Sequence, residues 1–110
     1  MEKIISYTVD DIAVDPESIT EAINKACCGR HVHHRVVGVC QIEDRIYFAL
    51  LPLDENETAR PYILVTVDDT SHDGFVSMLN TRWASGFDVV GTITAYDTVM
   101  ALFAKPAGKK

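Results

Sequence analysis

Short stretches of this sequence return in the same order about half a chain later, and that recurrence restricts the fold more than any other feature. Thr8-Val9-Asp10-Asp11 returns as Thr66-Val67-Asp68-Asp69, Ile23-Asn24 as Leu79-Asn80, Val36-Val37-Gly38 as Val89-Val90-Gly91, and Asp44 as Asp97. The offset shrinks from 58 to 56 to 53 along the chain, so the copies differ only by short insertions. A length of 110 residues supports one hydrophobic core and is too short for two independent ones. Two copies must therefore share a core, which defines a single domain over 1–110 with a first half over 1–53 and a second over 61–106.

Each half reads β-α-β-β. Residues 4–9 form a β-branched run, and a helix follows that starts either at Asp15-Pro16, with Asp15 as N-cap and Pro16 at the first helical position, or a turn later at the capping box Ser18-Ile19-Thr20-Glu21. Ile19, Ala22, Ile23, Ala26 and Cys27 share one helical face, and Gly29 ends the helix. Residues 36–42 and 45–51 are two strands around a turn at Glu43-Asp44. The second half repeats the order: a strand over 62–67, a turn, Ser71 as N-cap, a helix with Phe75, Met78, Leu79 and Trp83 on its apolar face, Gly86 as terminator, and a hairpin over 87–95 and 98–104 around Tyr96-Asp97. Ala26 then corresponds to Arg82, Cys27 to Trp83, Cys28 to Ala84 and Cys40 to Ile93.

The expected fold class is α+β: duplicated β-α-β-β units forming one six-stranded, mainly antiparallel sheet with two helices on one face, ferredoxin-like or related. The other face is the informative one. Strands wetted on one side alternate apolar with polar residues, yet Ile46-Tyr47-Phe48-Ala49-Leu50-Leu51 and Val99-Met100-Ala101-Leu102-Phe103-Ala104 are apolar on both. Either a second copy of the chain covers them, or the sheet curls on itself towards a barrel.

Charge narrows the partners. A formal net charge of −6 argues against nucleic acid and anionic membrane surfaces, which select for clustered Lys and Arg, and the one basic cluster is Lys105, Lys109 and Lys110. Met1 is followed by Glu2, Lys3 and a strand-like run rather than a signal segment, and no stretch is long enough to span a bilayer, so a cytoplasmic protein is expected. An odd set of three cysteines, two adjacent, is a poor disulfide framework and fits a reducing compartment.

The densest chemical cluster is Cys27-Cys28-Gly29-Arg30-His31-Val32-His33-His34. Thiolates and imidazoles are the usual ligands of zinc and copper, and His31 and His33 on a strand point the same way, which makes Cys28, His31 and His33 a candidate metal set. The spacing matches no Cys-x-x-Cys or Cys/His finger, and the repeat places Cys27, Cys28 and Cys40 opposite packing positions. Cys28 with His31 or His33 is also the local option for a thiolate nucleophile, without a third member or an oxyanion motif. The pairs Asp10-Asp11 and Asp68-Asp69 fit turns and helix starts better than acid-base work. Trp83, Arg82, Phe87 and Tyr96, with Tyr47 and Met100 on the apolar strands, are candidates for a ligand pocket or a subunit interface. No cofactor is called for. The expectation is a homo-oligomeric binding or assembly module, with a small-molecule or metal-binding protein and a small enzyme as the alternatives.

Leu79-Asn80, five further residues, and Gly86-Phe87-Asp88-Val89-Val90 resemble the hallmark of a family of short bacterial domains without an established activity: Leu-Asn, five residues, Gly-Trp-Glu, then a hydrophobic strand and a Phe-rich hairpin. The resemblance covers the C-terminal half, with Phe87 in place of the hallmark Trp and Asp88 in place of the Glu. It implies fold and leaves function open.

Overall fold

The structure, a computed structural model, describes residues 3–28, 32–54 and 56–106. Its elements are β1 (Lys3–Thr8), α1 (Val9–Val14), α2 (Pro16–Cys27), β2 (His34–Ile42), β3 (Arg45–Pro52), β4 (Tyr62–Thr66), α3 (His72–Ala84), β5 (Asp88–Ala95) and β6 (Thr98–Ala104). Local chemistry sets most of the boundaries. Asp15 accepts the Ser18 N–H at 3.2 Å with Pro16 behind it, and 56 residues later Ser71 accepts the Gly74 N–H at 3.2 Å, so both long helices start with the same device. Gly86 stops α3 in the left-handed region at φ 90, whereas Gly29 lies outside the described residues.

The short helix α1 is not part of the β-α-β-β reading. Thr8 caps it, accepting the Asp11 N–H at 3.1 Å while the Asp11 carboxylate accepts the Thr8 N–H at 3.3 Å. Six residues are too few for helical periodicity to register, and Thr8 and Val9 read equally well as strand. Val9 and Ile12 nevertheless put two buried side chains into the core, Ile12 fully enclosed.

The expected single sheet is two antiparallel sheets of three strands, ordered β1-β3-β2 and β4-β6-β5, so the central strand of each is the last strand of its half. The two hairpins share a register pattern. Register shifts fall between Val36 and Gly38 and between Val89 and Gly91, and both turns hold a positive-φ residue at the same place, Glu43 at φ 55 and Tyr96 at φ 57. The offset of 53 thus holds throughout the hairpins. For the first strands it is 60, because Lys3 faces Leu50 while Ile63 faces Phe103, where the sequence match gave 58. A slip of two residues keeps each side chain on its own face, which is why the pattern does not reveal it.

The sheets meet where β2 lies beside β5, both running the same way, without a backbone ladder. The Gln41 side chain bridges them instead, donating to the Thr94 C=O at 2.8 Å and accepting the Thr94 N–H at 3.1 Å. One core joins Val9 and Ile12 of α1, Ile19, Ile23 and Cys27 of α2, Val36, Ile46, Phe48 and Leu50 of the first sheet, and Ile93, Met100, Leu102 and Ala104 of the second. A smaller core on the far face of the second sheet packs Ala101 and Phe103 under Phe75, Met78 and Leu79 of α3. The helices therefore lie on opposite faces of the second sheet, not together on one face.

Both faces of β6 are thereby buried by the chain itself. The first sheet differs. Its outer face carries Ile4, Val37, Cys40, Ile42, Tyr47, Ala49 and Leu51; Ile4 and Ile42 are each 63% exposed, and Tyr47, Ala49 and Leu51 are half-buried.

Candidate functional site

The residues marked by the sequence fall into separate places. Arg82 and Phe87 meet where α3 turns into β5. The guanidinium lies over the rings of Phe87 and Phe103, 5.3 and 5.6 Å from their centroids, and those rings meet edge-on with centroids 6.3 Å apart. The Phe87 N–H bonds back to the Arg82 C=O at 3.0 Å, so the Gly86 turn aims this aromatic onto the sheet. Trp83, next to Arg82 in the chain, is 71% exposed. With Leu79, Asn80, Phe87, Asp88, Val89 and Phe103 it borders an open groove of about 270 Å³. Val76 and Val89 are exposed beside it and extend the apolar strip.

Tyr96 stands exposed at the tip of the second hairpin. Tyr47 belongs to the outer face of the first sheet. Met100 is 3% exposed, enclosed between the sheets, and as an interface or ligand residue it is corrected to a core residue: the second sheet folds that face onto α1 and α2. Cys40 is corrected in the opposite sense. It lies exposed on the outer face, whereas its counterpart Ile93 is buried.

At the other candidate cluster, Cys28 and His33 face each other across an isolated antiparallel bridge, and His31 lies outside the described residues. Among the described residues no three His, Cys, Asp or Glu side chains converge on a common point. Cys27 is buried in the core, and its thiol is pushed up to about 11, first by desolvation, then by Cys28 alongside, against a smaller downward pull from Lys3. At neutral pH it is a packed thiol and not a nucleophile. The acidic pairs work locally: Asp11 closes the α1 cap, and Asp69 accepts from the Ser71 hydroxyl and N–H, which holds its carboxyl below the usual range.

Two residues, Asn24 and Tyr62, organise the contact between halves, and a third, Arg60, ties the connecting segment to the second half. The Asn24 side chain accepts the Tyr62 N–H at 2.7 Å and donates to the Tyr62 C=O at 3.1 Å. The Tyr62 hydroxyl accepts the Val36 N–H at 2.8 Å, at the register shift of β2, and burial pushes its pKa up. Arg60 donates to the carbonyls of Lys105, Ala104 and Gly86 and pairs with Asp88 at 2.8 Å. A cleft of about 260 Å³ opens here between the halves, with Arg35 and Glu57 paired at its rim. Arg60, though it lines this cleft, directs its guanidinium at the chain's own carbonyls and reads as a structural clamp. The Asn at corresponding places in both helices was the one available signal; that it reaches across to the other half is a long-range fact.

No family model, no curated protein and no solved structure matches this chain. Among the described residues no helix is long and apolar enough to cross a membrane.

Proposed function

We propose that this chain is a non-catalytic assembly module of the cytoplasm whose working form is a homo-oligomer. The observation that carries the reading is a pair of separated apolar surfaces: the outer face of the first sheet, with Ile4, Val37 and Ile42, and the strip on α3 and β5, with Val76, Trp83 and Val89. Exposed apolar groups gathered on sheet and helix faces mark places where protein binds protein. Three free thiols suit a reducing compartment, and the acidic balance disfavours nucleic acid.

The architecture behind this reading is a duplicated β-α-β-β unit, supported by the matching strand order, caps, register shifts and turn residues of the halves. Leu79-Asn80 and Gly86-Phe87-Asp88 remain a motif resemblance to short bacterial domains, and assembly is the role we assign to such a unit here.

Native mass spectrometry of the untagged protein tests the proposal. A defined oligomer with no additional mass is the expected outcome. A monomer at every concentration, with no affinity for itself, would remove the reading, and retained metal or ligand mass would replace it with a binding protein centred on Cys28 and His33.

A further inference from the structure

Helix α2 shows how this unit uses a helix flank that α3 leaves bare. Pro16 and Thr20 border a groove with Ile63 and Leu64 of β4, and one turn further Asn24 takes both the N–H and the C=O of Tyr62. Because β4 is an edge strand, the Asn24 amide occupies its open side as a neighbouring strand would. The corresponding positions on α3, 56 residues on, are His72, Val76 and Asn80, with Trp83 matching Cys27. All four are exposed. The element that corresponds to β4 is β1, which is likewise an edge strand, with Lys3 and Ile4 exposed. In one chain these cannot meet: β1 belongs to the first sheet, and α3 lies on the far face of the second.

We propose that a second copy of this chain completes the pattern, with the free edge of β1 from one copy docked along the α3 flank of another. Ile4 of the partner subunit packs against Val76 and Trp83, and the Asn80 amide pairs with a backbone N–H and C=O of that β1. Charge complements the fit, because Asp73 is the exposed acidic residue of α3 and Lys3, whose ammonium donates to the Ala26 C=O at 3.4 Å, is at the same end of β1 as Ile4. The contact joins two different surfaces, so it gives a reciprocal dimer, a ring, or an open filament where the rotation does not close.

This rests on the homo-oligomer reading, and sedimentation velocity separates the two. Ile4→Lys and Val76→Glu, each at an exposed site, weaken self-association by about tenfold or more, and the double variant restores it by placing opposite charges in contact. Asn80→Ala weakens it several-fold, and melting curves confirm that each variant is folded. An oligomer whose dissociation constant stays within about twofold in all three single variants overturns this interface and leaves the assembly module standing. A wild-type monomer up to about 100 µM overturns both.

Discussion

Cys40 and Ile93 hold the same position in their hairpins, each directly opposite the side chain 53 residues from its counterpart, Tyr47 and Met100. Ile93 is 1% exposed and Cys40 lies open to water. The corresponding face is interior in the second half and surface in the first, because α1 and α2 pack onto the second sheet and, among the described residues, nothing equivalent packs onto the outer side of the first. The helices tell the complementary story: α2 is gripped from two sides, while α3 rests on one sheet and has no buried residue. Two halves with the same strand order thus present different surfaces, and exposed apolar groups lie on the outer face of the first sheet and on the strip of α3 and β5.

Stability measurements on paired substitutions can break this comparison. The largest difference is expected between Ile93→Ala, which empties a closed core and costs about 2–5 kcal/mol, and Cys40→Ala, which stays within about 0.5 kcal/mol. Urea titration at a concentration too low for association reads both, and equal losses would show that the outer face is covered after all. Next is Asn24→Ala against Asn80→Ala. The first leaves the Tyr62 backbone without its partner and costs about 1–3 kcal/mol, whereas the second leaves the stability of the dilute chain unchanged.

Alkali sharpens the contrast between Cys27 and its exposed counterpart Trp83. The folded thiol titrates near 11 and the unfolded one near 9.0, so its contribution is complete below pH 9 and is lost as pH rises towards 11. Cys27→Ala should flatten the fall in melting temperature across that interval, and an unchanged slope would place the titrating group elsewhere. The smallest difference is between glycines. A Cβ at Gly91 would stand 3.1 Å from the β-branched Val39, while one at Gly38 meets nothing within 4 Å. Gly91→Ala should cost about 1 kcal/mol and Gly38→Ala should be neutral or stabilise by about 0.5 kcal/mol, both read by thermal unfolding.

What was legible in the sequence follows the same division. Asp15-Pro16, Ser71, Glu43-Asp44 and Tyr96-Asp97 act within a few residues, and the elements they bound were readable from local chemistry alone. Tyr47 and Met100 sit in equally apolar runs, and no local property separates the exposed face from the buried one. That depends on how the halves meet, and the meeting rests on single side chains: Gln41 across the seam, and Asn24 and Tyr62 between helix and edge. Each is a common surface residue type until the structure places it. The site candidates follow suit, with Trp83, Phe87 and Arg82 drawn to one helix end while Met100 is absorbed into the core.

The bridge at Gln41 also bears on how the molecule opens. The Gln41 side chain holds the N–H and C=O of Thr94 at a seam where no backbone ladder joins β2 to β5. A crease therefore runs between the two sheets, and its amides outside the ladders should trade their hydrogens for solvent deuterium before those of the ladders on either side.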